Sequence, residues 1–212
     1  MNKDRENTLC EYSDEESAFV KGALSSNGCT EGTTRFHMTL TAKEYTLCDF
    51  SMYQAGNDSA EEYAHEGDGD QSSPEEMLAK AFAEADKSPA SEEYRVTGDA
   101  YMVDDNGHVI LCYLESLDGE NEQLCEIHFD RSAPGLVTIC KTGMATSTIT
   151  IEVGRRHSCV YRTPFMDFEM RVHALRVDNT VTEDGGIIRL DYALEIRGAE
   201  AHRTVMEIVV EK

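Results

Sequence analysis

The chain has no tryptophan, only four prolines, and just 19 basic side chains against 41 acidic ones in 212 residues. The formal net charge of −22 repels the phosphates of nucleic acids and anionic membrane surfaces. We therefore expect neither nucleic acid nor membrane as a general partner, although a local basic pocket stays compatible with this balance. The acidic excess is steepest in residues 51–93, where 12 acidic side chains accompany only Lys80 and Lys87.

Long hydrophobic runs are also missing. No stretch approaches the ~20 apolar residues that a membrane-spanning helix needs, and residues 1–7 lack the apolar run of a signal peptide. The seven cysteines form an odd set without a C-x-x-C pair, which is atypical of a secreted disulfide framework. The sequence therefore predicts a soluble, cytoplasmic protein with free thiols. Its cysteines and histidines have no metal-ligand spacing, so we expect no metal and no cofactor.

A long series of short strands fills residues 94–212. Runs of alternating apolar and polar residues follow one another, and turn sequences such as Asn106-Gly107 separate them. No helix-length pattern interrupts them. The sequence predicts an all-β fold, an antiparallel meander of about 8–10 strands closed into a β-barrel. The predicted core is carried by Ile149, Ile151, Leu190, Tyr192 and Leu194.

The N-terminal part has a different organisation. Residues 1–35 are polar and predicted to be weakly ordered, and a strand starting at Phe36 opens a single domain over residues 36–212. Residues 51–93 form an acidic insertion. Within it, Ser73 as N-cap and Pro74 at the first helical position predict a short helix over about 74–87. This helix could dock on another protein, but we expect it to cover the open end of the barrel.

Several short motifs stand in a characteristic order along the predicted strands: Gly98, Tyr113-Leu114-Glu115-Ser116, Thr142-Gly143, Ile151 to His157, Tyr161 to Phe165, Gly185-Gly186 and Leu190-Asp191-Tyr192. This order resembles the YwiB-like family of bacterial β-barrel proteins, a domain of unknown function. The resemblance covers residues 94–212 well and implies a calycin-like (lipocalin-like) barrel. The chain departs from the family at Lys141, where arginine is frequent, at Met166, where glycine is usual, and in the insertion.

Two groups of residues are candidates for a ligand site. Arginine dominates the basic residues of 94–212. Arg155 and Arg156 follow a turn at Gly154, and Arg162 lies near the end of the strand predicted after it. If they line the barrel mouth, their guanidinium groups could hold an anion; pairing with acidic neighbours is the alternative. Tyr113 and Glu115 end another strand, where Glu115 could serve as an acid or base or simply as a hydrogen-bonded strand end.

The sequence carries no signature of an enzyme. It has no G-x-S-x-G motif and no paired catalytic cysteine and histidine, so we expect no catalytic residue. We expect a non-enzymatic binding module that holds a small anionic or amphipathic molecule at the barrel mouth. The first alternative is a structural or interaction protein with a filled barrel, whose acidic insertion meets a basic protein partner. The second is an enzyme that uses Glu115. A cavity of ~300 Å³ or more would favour the binding module. The ligand and the oligomeric state stay open.

Overall fold

The computed structural model describes residues 33–47, 74–116, 122–196 and 201–212, excepting the side chains of 74–79 and 122. These residues form one helix, α1 (Pro74–Ala85), and ten strands. The strands are β1 (Thr33–Leu47), β2 (Glu92–Asp105), β3 (His108–Ser116), β4 (Glu122–Asp130), β5 (Leu136–Thr142), β6 (Ser147–Glu152), β7 (Arg156–Arg162), β8 (Asp167–Asn179), β9 (Gly185–Ile196) and β10 (Ala201–Glu211). The predicted region 1–35 lies mostly outside the described residues.

The ten strands form one antiparallel sheet in the order β6-β5-β4-β3-β2-β1-β10-β9-β8-β7. Strands that are consecutive in sequence pair with each other, and β1 pairs with β10 from His37↔Glu211 to Leu47↔Ala201. Two bridges join the outer strands of this order. The backbones of Thr146, just before β6, and Arg162 of β7 exchange two hydrogen bonds of 2.9 Å, and Val153, just after β6, bridges to Ala174 of β8. The predicted all-β meander, closed into a barrel, is confirmed.

Alternation of side chains places the apolar residues inside the barrel. On β1, Phe36, Met38 and Leu40 are at most 2% exposed, as the period of two along a strand requires. Of the predicted core residues, Ile151, Leu190 and Tyr192 are buried, and Ile149 and Leu194 are partly buried and pack against them. The interior of the barrel is therefore lined by large apolar side chains.

Two glycine-containing turns fix the register of the sheet. Asn106 and Gly107 have φ angles of 52° and 96°, so the predicted β2–β3 hairpin uses the residue pair that tolerates the left-handed region best. Gly185 and Gly186 also have positive φ angles, and at both positions neighbouring backbone atoms leave no space for a side chain. A Cβ atom on Gly186 would lie 2.5 Å from the Thr180 carbonyl oxygen, so no other residue fits.

Helix α1 packs on the outer wall of the barrel. Phe82 and Ala85 bury themselves against Leu47, Ala193 and Ala201, which belong to β1, β9 and β10 and point away from the interior. The expectation that the helix covers the open end is therefore wrong. Small alanine side chains on β9 and β10 leave room for an aromatic ring, and so the apolar face of the helix can pack on the outer wall.

Within the described residues, no helix is long and apolar enough to span a membrane.

Arg203 of β10 fastens the helix to the wall. Its guanidinium donates two hydrogen bonds to the Asp191 carboxylate, at 2.9 and 2.8 Å. It also donates to Asp86 Oδ1 at 2.6 Å and to the Phe82 carbonyl oxygen at 3.2 Å, and it lies 5.0 Å from the centre of the Phe82 ring. One buried cation thus joins the barrel to the residues that end the helix.

Candidate functional site

A group of polar side chains interrupts the apolar interior at one end of the barrel. Tyr113, Cys125 and Lys141 are direct partners across β3, β4 and β5, so their side chains stand in one inward-facing row. Glu115 follows Tyr113 by two residues on the same face of β3. Tyr94 of β2 and Tyr192 of β9 complete the group, which we term the polar cluster.

The Glu115 carboxylate is the centre of the polar cluster. Its Oε2 accepts a hydrogen bond from Lys141 Nζ at 2.8 Å and another from the Cys125 thiol at 3.3 Å. Glu115 is 5% exposed, whereas the Lys141 side chain is 26% exposed. Lys141 is therefore the more exposed member of this ion pair.

Each of the three tyrosines interacts electrostatically with at least one other member of the polar cluster. Burial, followed by the negative charges of Glu115 and Glu44, raises the pKa of Tyr94. Burial also raises the pKa of Tyr113, with Cys125 and Glu115 adding to it, and the pKa of Tyr192, with Tyr94 adding to it. At neutral pH each of these hydroxyls keeps its proton, because a phenolate in an apolar interior beside a carboxylate is unfavourable.

The thiol and the ammonium of the polar cluster also stay protonated. Burial raises the pKa of the Cys125 thiol to about 12, since the lowering by Lys141 is smaller and Glu115 works against it. Burial opposes the charge on Lys141, but Cys125 and Glu115 together raise the pKa of the ammonium above its ordinary value. In the cluster, the ammonium and the thiol thus donate hydrogen bonds to the Glu115 carboxylate, and the three tyrosine hydroxyls keep their protons.

His202 contributes a further polar atom near the polar cluster. It lies two residues before Thr204 on the inward face of β10, and Thr204 is a hydrogen-bond partner of Tyr192. The ring of His202 follows the inward alternation of Thr204 and Met206, and His202 Nδ1 is buried without a hydrogen-bond partner. His202 pairs with Leu194 of β9 and Thr46 of β1. An unsatisfied buried nitrogen near this end of the barrel is a position where a bound molecule can supply the missing hydrogen bond.

The structure does not bring the three candidate arginines together. Arg156 and Arg162 are the first and last residues of β7, roughly 20 Å apart at the usual rise per residue. Both point away from the interior, because Cys159 on the opposite face of β7 packs against the core. Arg155 lies 3.4 Å from Glu152, and Arg162 lies 3.8 Å from Asp167, as the alternative of acidic pairing predicted. Of the predicted site residues, only Tyr113 and Glu115 lie in the polar cluster.

Lys141, Cys125, Tyr94 and Tyr192 are the cluster residues that sequence reasoning did not assign to a site. A signal for Lys141 is present in the sequence, since Val137, Ile139 and Lys141 share one face of β5 and two of them are core residues. A charged residue that continues an apolar face must either reach the rim or find a partner inside. The partner itself depends on the register of three strands, which the sequence does not reveal.

Other places where a ligand or metal could bind are limited in the part of the chain that is described. No group of three His, Cys, Asp or Glu side chains there is arranged to hold a metal ion. A pocket of about 190 Å³ lies at the other end of the barrel, between the β4–β5 turn and the segment after β8, where Phe129, Arg131, Pro134 and Val181 line it. It is smaller than the cavities that usually hold small molecules.

Ten antiparallel strands closed around an apolar interior, with a polar cluster at one end, define an antiparallel β-barrel protein. Residues 82–208 match the family model described as "Domain of unknown function (DUF1934)". This match spans more than half of the chain, so the chain belongs to that family.

Among solved structures, the chain is similar to the ywiB protein from Bacillus subtilis. The two share 15% sequence identity with a TM-score of 0.53, over 85% of this chain and 94% of the other. At this identity the likeness concerns the fold. The resemblance seen in the sequence motifs is confirmed by both comparisons. No functionally curated protein matches the chain.

Proposed function

We propose that the chain is a non-enzymatic binding module that holds a small, acceptor-rich molecule, such as a carboxylate, at the polar cluster. The observation that carries this proposal is the ion pair of Lys141 and Glu115 inside an otherwise apolar barrel. Burying two opposite charges costs desolvation energy that their attraction often fails to recover, and an apolar pair would usually stabilise the fold as well. A role in binding gives a reason for keeping the charges there.

The protonation states support binding rather than acid–base catalysis. A general acid or base works best with a pKa near the operating pH. The pKa values of Tyr94, Tyr113 and Cys125 are all raised, and so move further from neutrality. The groups that surround Glu115 are therefore protonated and could donate hydrogen bonds to the oxygen atoms of a ligand.

The ligand class follows from the count of donors and from charge. Because Glu115 already compensates Lys141, a ligand with one carboxylate or several neutral oxygen acceptors fits better than a multiply charged anion. The strong negative charge of the whole chain also disfavours a multiply charged anion. His202 Nδ1 adds a nitrogen that a ligand hydroxyl could satisfy. An apolar portion of the ligand would meet the core beneath the cluster.

Native mass spectrometry of the protein purified from its own host tests this proposal. Lys141→Met removes the ammonium at similar volume, and Arg162→Ala is the matched control that removes a cation on the outer wall. We expect a retained small molecule in the wild type and in Arg162→Ala, and none in Lys141→Met. Retention by Lys141→Met together with loss in Arg156→Ala or Arg162→Ala would place the ligand at the arginines instead.

A second candidate is a structural or interaction protein with a filled barrel. The specific observation in its favour is the apolar packing of most of the interior, from Phe36 to Val210. Under this alternative the polar cluster contributes only to the stability of the fold and binds no ligand. A wild-type protein that carries no small molecule, and whose melting temperature no small carboxylate raises, would favour it.

A further inference from the structure

Two aromatic side chains face the interior of the barrel on β7 and β8. Tyr161 follows Cys159 by two residues, and Cys159 packs against the core, so both lie on the inner face of β7. Phe168 shares its face of β8 with the core residue Val172 and is the direct partner of Tyr161. The two ring centres lie 6.3 Å apart, with an interplanar angle of 39°. We term these two residues the aromatic pair.

The aromatic pair lies beside the polar cluster. Lys141 of β5 is the direct partner of Ser147, which opens β6 and is 3% exposed. Thr146, just before Ser147, exchanges two backbone hydrogen bonds with Arg162, so β6 and β7 run side by side at this point. Tyr161 is the residue before Arg162. About two strand spacings, roughly 10 Å, therefore separate the backbones of Lys141 and Tyr161.

The aromatic pair is not used by the apolar core. Among the described residues, neither Tyr161 nor Phe168 belongs to the large buried cluster, and both are only partly buried. Phe36 and Phe129, which also face inward, are by contrast 2% exposed. Inward-facing rings that the core leaves partly uncovered present an apolar surface to a molecule bound at this end of the barrel.

We propose that the molecule held at the polar cluster is an aryl carboxylate, with its carboxylate at Lys141 and its flat ring against the aromatic pair. This inference rests on the proposed function and names the ligand class more closely. A lysine ammonium has three N–H bonds, of which one is donated to Glu115 at 2.8 Å. It can therefore also donate to a second carboxylate.

The arrangement of the two groups sets the shape of the ligand. The side chains of Lys141 and Tyr161 extend from neighbouring parts of the wall into the same interior space, so a short flexible arm between ring and carboxylate is enough to reach both. Aromatic rings gain from offset-stacked or edge-to-face contacts with other rings, beyond the burial of apolar area. A flat ring should therefore be favoured over a saturated ring of the same carbon number.

Two matched probes, phenylpropionate and cyclohexylpropionate, test this inference, because they share the carboxylate and the carbon skeleton and only the first is aromatic. In titrations followed by NMR, we expect wild type to bind phenylpropionate at least roughly 3-fold more tightly. Tyr161→Leu/Phe168→Leu should abolish this preference. Tyr101→Leu is the matched control and should keep it, because Tyr101 lies between the core residues Ala100 and Met102 and so points to the outer wall.

Nuclear Overhauser contacts in the wild type give a readout that depends on no variant. We expect contacts between the ring protons of bound phenylpropionate and the rings of Tyr161 and Phe168, and their absence in the bound complex would overturn the inference. Equal affinity of wild type for the two probes would overturn it as well. So would a preference that Tyr161→Leu/Phe168→Leu keeps, or one that Tyr101→Leu also loses.

The failure of this inference can be told apart from the failure of the proposed function. If native mass spectrometry finds a retained molecule that needs Lys141 but has no aromatic ring, this inference falls and the proposed function stands. If neither probe binds wild type, this inference falls, and the retained molecule decides the proposed function separately. If Lys141→Met/Glu115→Leu binds phenylpropionate as tightly as wild type, the probe does not use the polar cluster, and the inference is overturned.

Discussion

Replacing Lys141 by methionine should destabilise the protein far more than removing both members of its ion pair. Glu115 is 5% exposed in the wild type, and the single variant loses the 2.8 Å hydrogen bond that the Lys141 ammonium donates to it. Removing one partner of a buried ion pair costs about 3–5 kcal/mol, because the other charge remains uncompensated. Since the Lys141 side chain is 26% exposed, we expect the lower end, about 3 kcal/mol.

The double variant Lys141→Met/Glu115→Leu separates the value of the pair from the cost of an orphaned charge. With both charges gone, the apolar side chains continue the core, and stability should return to within about 1 kcal/mol of wild type. Equilibrium unfolding in urea, followed by circular dichroism, gives the free energies, and an unchanged m-value shows that the folded state is the same. A single variant within about 0.5 kcal/mol of wild type, or a double variant as unstable as the single one, would refute this reasoning.

The pH dependence gives a second check on the same pair. The pKa of Lys141 is raised in the folded protein, so the stabilisation by its charge is fully present below the unfolded value. It is lost as the pH rises through the raised folded value. Wild type should therefore lose stability at strongly alkaline pH more steeply than Lys141→Met/Glu115→Leu.

Three further predictions concern the core, the helix and the buried thiol. Leu190→Ala should cost about 2–5 kcal/mol in urea unfolding, because Leu190 is 1% exposed; a loss below about 0.5 kcal/mol would mean that the faces of β9 are reversed. Arg203→Ala should speed amide hydrogen exchange in α1 while β3 to β5 keep their protection, and uniform loss of protection would contradict a local clamp. With its pKa raised to about 12, Cys125 should resist thiol reagents at pH 8 until the protein unfolds, and immediate labelling of the folded protein would contradict its burial.

The strands were readable from the sequence because each has one buried and one outer face. Leu190, Tyr192 and Leu194 repeat with a period of two, and no helical period competes with it. The β2–β3 turn was readable because Asn106-Gly107 has few alternatives. In both cases the deciding physics is local, within a few residues along the chain.

The polar cluster and the position of α1 depend on contacts that are distant in sequence. Lys141 meets Cys125 and Glu115 only through the register of β3, β4 and β5, and a shift of one residue would turn its side chain to the outer wall. An amphipathic helix can bury its apolar face against a barrel end as well as against a barrel wall. The choice of the wall rests on Ala193 and Ala201, which are small, and on Arg203, whose partner Asp86 lies 117 residues earlier.

The pairing of β1 with β10 sets the order in which this molecule can assemble. Leu47 lies opposite Ala201, which is 154 residues further along the chain, so closing this ladder carries a large loop entropy. Until β10 is made, β1 and β9 are both open sheet edges, and the apolar row of Phe36, Met38 and Leu40 lacks one wall. A chain still emerging from the ribosome therefore exposes two unpaired strand edges and part of its apolar core. We expect it to fold slowly and to aggregate readily until β10 pairs with β1 and β9.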